Sequence, residues 1–122
     1  MSALVDLETF IKKHINEFWT KQKYIKSHDI YFQGQTPMQS LYLAKGSIQL
    51  LKRNKVVKEI SNPGPHFVSE LLYRSPINYT VRITKGSEVY HIDTYSLKNN
   101  ILTHFPELHD SISLTAWLSV PS

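Results

Sequence analysis

The chain has 122 residues, 41% hydrophobic and 20% charged, which suits one packed domain and excludes a disordered tail. It holds no cysteine, so disulfide frameworks, cysteine nucleophiles, zinc fingers and iron–sulfur sites are excluded, and no apolar run approaches the roughly 20 residues of a membrane helix. The net charge of +4 is spread over Lys12-Lys13, residues 21–26 and 52–58, and Lys98, with no block of five like charges; it reads as a solvated surface rather than a nucleic-acid tail. The start, Met1-Ser2-Ala3-Leu4-Val5-Asp6, lacks the basic and apolar regions of a secretory signal, and a cytoplasmic protein is expected.

In chain order, residues 1–20 predict a helix. Leu4, Leu7, Phe10-Ile11, Ile15 and Phe18-Trp19 recur at three- and four-residue spacing, with Ser2 as N-cap. Residues 23–93 read as short strands: Tyr24-Ile25, Ile30-Tyr31-Phe32, Leu41-Tyr42-Leu43, Ile48-Gln49-Leu50-Leu51, residues 55–60, 79–83 and 88–92. Between them lie turn signals such as Ser27-His28-Asp29, Gly34-Gln35-Thr36-Pro37, Arg53-Asn54 and Asn62-Pro63-Gly64-Pro65. This spacing predicts a sandwich or jelly-roll barrel, with a tight hairpin at Arg53-Asn54. Ser69-Glu70-Leu71-Leu72-Tyr73-Arg74 breaks the pattern and predicts one helical turn, capped by Ser69 and ended by Pro76. Residues 94–120 predict two helices, the first capped by Asp93 or Thr94 and the second opening at Pro106.

Catalytic motifs are missing. The six histidines show no i,i+2 pair and no His-Glu-x-x-His spacing, so no metal site is expected, and His91 reads as a strand residue with a satisfied ring. No Gly-x-Ser-x-Gly, phosphate-loop or dinucleotide motif occurs, and nothing supports an enzyme. The turn feeding the short helix at residues 64–72 directs free backbone N–H groups toward one spot, where a phosphate could sit and Glu70 could accept a sugar hydroxyl. The alternative is a barrel corner in which Glu70 caps local N–H groups.

The same segments resemble a cyclic-nucleotide-binding domain of the Crp/Fnr (catabolite activator) type. Ile30-Tyr31-Phe32-Gln33-Gly34-Gln35-Thr36-Pro37 is similar to that family's strand and Gly-Glu turn. Leu41-Tyr42-Leu43-Ala44-Lys45-Gly46-Ser47-Ile48-Gln49-Leu50 resembles its "lyfilsGsvkl" hairpin, and Pro63-Gly64-Pro65-His66-Phe67-Val68-Ser69-Glu70-Leu71 its "pGdxfGEl" phosphate cassette. Residues 88–93 and Phe105-Pro106-Glu107-Leu108 match its last strand and final helices. The resemblance covers nearly the whole chain. It implies a mainly β fold, a jelly-roll or double-stranded β-helix barrel flanked by an N-terminal helix and two C-terminal helices.

It also implies a ligand site formed by the cassette residues Phe67, Val68, Ser69, Glu70 and Leu71 together with Arg74, Ile77, Asn78 and Tyr79. Glu70 matches the ribose-binding glutamate. Ser69 stands where the family has glycine, and Ile77 where it has the phosphate-binding arginine. Without that charge-assisted contact the cassette reads as degenerate. The resemblance therefore implies a non-catalytic sensor domain of a Crp/Fnr-like transcription regulator, without a cofactor, acting through protein contacts or an unidentified ligand. Two alternatives stay open. One is a working cyclic AMP or cyclic GMP sensor using Arg74 or Arg82 as a displaced phosphate partner; the other is a stand-alone self-association module. The apolar Leu114, Trp117 and Leu118 suit a homodimer or interdomain contact, or a cap on the barrel. DNA binding is expected only through a helix-turn-helix domain that these residues lack, and no membrane contact is expected.

Overall fold

The computed structural model describes residues 3–106, with side chains from Val5 onward. The Ser2 cap, the second C-terminal helix and the interface residues Leu114, Trp117 and Leu118 lie outside the described residues. The elements are α1 (Ala3–Phe18), β1 (Lys21–Lys23), β2 (His28–Tyr31), β3 (Gln39–Lys45), β4 (Ile48–Lys52), β5 (Lys55–Ile60), β6 (Gly64–His66), α2 (Val68–Tyr73), β7 (Thr80–Ile83), β8 (Glu88–Asp93) and α3 (Thr94–His104). The strands form two antiparallel four-stranded sheets, ordered β1-β8-β3-β6 and β2-β7-β4-β5. This is the jelly-roll barrel, mainly β, that the strand pattern and the resemblance predict.

Two apolar cores follow from the pleat, since alternate side chains of a strand point to opposite faces. Leu41, Leu43 and Val89 of the first sheet meet Ile48, Leu50, Val81 and Ile83 of the second inside the barrel. The first sheet's other face, with Tyr90 and Ile92, lies beneath Leu7, Phe10 and Ile11 of α1, Leu72 of α2, and Leu97 and Ile101 of α3. Each such side chain contributes about 1.5–3 kcal/mol of burial. The second sheet's outer face is polar instead: Arg82 on β7 donates from Nε to Asp29 Oδ1 on β2 at 2.7 Å, and Gln49 on β4 donates to Glu59 on β5 at 3.1 Å.

Local chemistry sets the joints. Arg53 and Asn54 both adopt positive φ, 52° and 65°, which gives the β4–β5 hairpin the twist of its strands. Gly46, at φ 94°, lets the β3–β4 turn touch the barrel, because a Cβ there would lie 2.7 Å from the Ser87 Cα. Asp93 caps α3, its Oδ1 accepting from the Ser96 N–H at 2.7 Å.

Four sequence expectations need correction. The first strand is Lys21–Lys23, not Tyr24-Ile25; it lies on the sheet's edge with no buried side chain, and Lys21 anchors it to Glu88 at 2.9 Å. β2 starts at His28, inside the expected turn. A strand, β6, runs through Gly64-Pro65-His66, where the glycine and prolines had predicted only a turn; it pairs with β3 as an edge, a place that tolerates proline. Ser69 is inside α2 rather than its cap: the N-cap is Phe67, left-handed at φ 66°, and no side chain caps this helix.

Candidate functional site

The cassette is built where β6 hands the chain to α2. Phe67 turns it in the left-handed conformation, and Val68, Leu71 and Leu72 of α2 then bury against α1 in the helix-side core. Arg74 ends α2, again left-handed, with its N–H on Glu70 O. Ser75 N–H bonds the same carbonyl at 3.0 Å. Pro76 then leads into Ile77. That residue is tied to the loop after β2 by two backbone bonds of 2.8 Å, from Ile77 N–H to Gln35 O and from Gly34 N–H to Ile77 O.

These segments enclose a cavity of about 190 Å³. Phe67 and Glu70 line it from the α2 side and Ile77, Asn78 and Tyr79 from the segment before β7. Leu50 of β4 and Pro76 complete the lining. Five of the expected site residues are thus brought together: Phe67, Glu70, Ile77, Asn78 and Tyr79. Val68 and Leu71 serve the helix-side core, Ser69 is half-buried on α2, and Arg74 is exposed at the helix end; none of these four lines the cavity.

Electrically the cavity is one-sided. Ile77, 3% exposed, lines it with a hydrocarbon side chain. Among the described residues Glu70 is the one charged residue in the lining, and its carboxylate makes no hydrogen bond or ion pair to another of them. Arg82 is committed elsewhere: its hydrogen bond and charge pairing with Asp29 raise its pKa and hold it charged on the barrel's outer face. Sequence reasoning missed Leu50, Pro76 and Lys52. Lys52 reaches over the Tyr79 ring with its Nζ 4.9 Å from the centroid. The signal for Leu50 was available, because alternation along β4 puts Ile48 and Leu50 on the same inward face.

His91 has the satisfied ring the sequence predicts. Its Nε2 meets the Tyr24 hydroxyl, and its Nδ1 lies 3.1 Å from Gln39 Oε1. Burial, and secondarily the charge of His28, push its pKa below the ordinary histidine value. Among the described residues no group of three or more His, Asp or Glu could hold a metal ion, and no helix is long and apolar enough to cross a membrane.

No sequence-family model matches the chain, and no curated protein is significantly similar to it in sequence. Its structure is similar to solved ones. The N-terminal domain of a transcriptional regulator from Streptomyces coelicolor A3(2) superposes with a TM-score of 0.67 at 9% identity, over 96% of this chain and 85% of that one. The cyclic-nucleotide-binding homology domain of a KCNH channel gives 0.58 at 12% identity, over 98% and 92%. The catabolite activator protein of Thermus thermophilus gives 0.60 at 13% identity, over 97% of this chain and 57% of that one. With its helix-flanked barrel, the chain has the fold of the cyclic-nucleotide-binding domains.

Proposed function

We propose that the chain is a non-catalytic regulatory domain of the Crp/Fnr type whose cassette does not take up cyclic AMP or cyclic GMP. In this reading it acts through protein contacts or a different ligand. The observation that carries the reading is buried Ile77 in a cavity where the one charged residue among the described lining residues is an acid. A cyclic nucleotide brings an anionic phosphate. An anion in the cavity faces the Glu70 carboxylate, while the nearby cation, Lys52, lies over the Tyr79 ring rather than in the lining, so the anion lacks charge-assisted bonds that are roughly twice as strong as neutral ones. The volume argues the same way, since about 190 Å³ falls below the roughly 300–1,000 Å³ of ordinary ligand pockets. The exposed position of Arg74 and the Asp29 pairing of Arg82 weigh against either as a displaced phosphate partner. Isothermal titration calorimetry with each nucleotide tests the reading. No binding heat is expected, and a micromolar dissociation constant would sink it.

A further inference from the structure

A second concavity, of about 450 Å³, lies across the loop that joins β2 to β3. Its size is within the range of small-molecule sites. Ile30 at the end of β2, Gln35 and Thr36 on the loop, Met38 and Gln39 at the entry to β3, and Asp93 at the start of α3 line it. Tyr31 also borders it, but its hydroxyl is committed to the Gln39 carbonyl.

The other polar groups keep hydrogen-bonding capacity that no described residue uses. Gln35 Oε1 accepts from the Phe32 N–H at 2.9 Å, and Gln39 Oε1 lies 3.1 Å from His91 Nδ1. Both carboxamide oxygens are therefore occupied, while neither NH₂ group has a partner among the described residues. Thr36 makes no side-chain hydrogen bond to them either. Asp93 uses Oδ1 for the Ser96 N–H and leaves Oδ2 open. Among the described residues no cationic side chain lines the groove. Met38, 55% exposed, and half-buried Ile30 add an apolar shelf. One unneutralised carboxylate, two carboxamide donors, a hydroxyl and a short apolar surface complement a molecule with an ammonium group, a nearby hydrogen-bond acceptor and an apolar tail.

We propose that this groove binds a small ligand of the amino-acid class, with its ammonium on Asp93, its carboxylate on the free amides of Gln35 and Gln39 with the Thr36 hydroxyl, and its side chain on Met38 and Ile30. The groove also joins two parts of the fold. Met38 O accepts from the N–H and Oγ1 of Thr94 at 3.1 and 3.0 Å, which fastens the loop to α3. On its other side the loop holds Ile77 through Gly34 and Gln35. A ligand here touches the N-terminus of α3 directly and reaches the cassette through one backbone bond. The inference stands whether or not the cassette takes a nucleotide.

The test is a residue-resolved ¹H–¹⁵N NMR titration of the 122-residue chain with L-leucine and L-methionine, beside N-acetyl-L-leucine and isoamylamine. At least one free amino acid is expected to give saturable shifts at Gln35, Thr36, Gln39 and Thr94, with a smaller response at Ile77. N-acetylation removes the cation and isoamylamine lacks the acceptor, so both are expected to bind more weakly. Asp93→Asn keeps a capping side chain while removing the charge, and is expected to weaken binding about tenfold. Should that variant fail to fold, Gln35→Ala is expected to weaken binding too. No saturable shift with either amino acid, shifts clustered elsewhere, equal binding of the N-acetyl compound, or unchanged affinity in a folded variant would each overturn the proposal.

Discussion

The cassette cavity holds about 190 Å³ behind Leu50, Phe67 and Ile77, while the groove beside Asp93 is about 450 Å³ and keeps polar groups whose hydrogen-bonding capacity the described residues do not fill. The same loop serves both. Gln35 gives its backbone carbonyl to Ile77 and its side chain to the groove. The difference lies in what packing has claimed. In the cassette the aliphatic side chain of Ile77 is drawn into the barrel core. Along the groove, glutamine, threonine and aspartate remain outside either core and stay available to a small molecule.

The largest effect expected on this contrast comes from Ile77→Ala. Truncating a residue that is 3% exposed should cost about 2–5 kcal/mol in a urea melt, and enlarging the cavity should still give no cyclic-nucleotide binding, because no cation is gained. Asp93→Ala, on the groove side, should cost about 0.5–2 kcal/mol through the lost cap of α3, with Asp93→Asn close to neutral. Thermal melts of the two variants check this.

A smaller contrast concerns pH. His91 is bonded to Gln39 of the groove, and its folded pKa is lowered by burial and then by His28. The unfolded chain thus binds the proton more readily. Stability is expected to be full above the ordinary histidine value of 6.5 and to fall as pH drops through it toward the folded value. His91→Gln should flatten that slope between pH 7 and 5, whereas Ile77→Ala should leave it in place. The least effect belongs to Glu70→Gln: its carboxylate has no described partner, so stability should stay within about 0.5 kcal/mol and nucleotide affinity should remain undetectable.

Where burial writes a period, the sequence shows it. α1 and strands β3, β4, β7 and β8 each bury a face, and their apolar spacing announces them; the β4–β5 hairpin follows from Arg53-Asn54. Edge strands leave weaker traces. Lys21-Gln22-Lys23 is polar throughout, and Gly64-Pro65-His66 looks like a turn until β3 offers it a partner. The left-handed turn at Phe67 was hidden because an aromatic residue gives no sign of positive φ, and Ser69 offered a more ordinary cap. Glu70, Ile77, Asn78 and Tyr79 are placed by the resemblance to the cyclic-nucleotide cassette. Alternation along β4 marks Leu50 as inward-facing, but only the fold brings it, Pro76 and Lys52 to the cassette. The groove had no motif: its members come from β2, a loop, β3 and the cap of α3, each with an ordinary local reason to be there.

The most direct measurement is a thermal melt of the domain with and without millimolar cyclic AMP and cyclic GMP. A ligand at about 100 times its dissociation constant stabilises a protein by roughly 2.7 kcal/mol, which raises the melting temperature of a domain this size by several degrees. The account predicts superimposable melts with and without either nucleotide. A saturable rise of several degrees, abolished by Glu70→Ala, would contradict it and show that the cassette works without a cation at position 77.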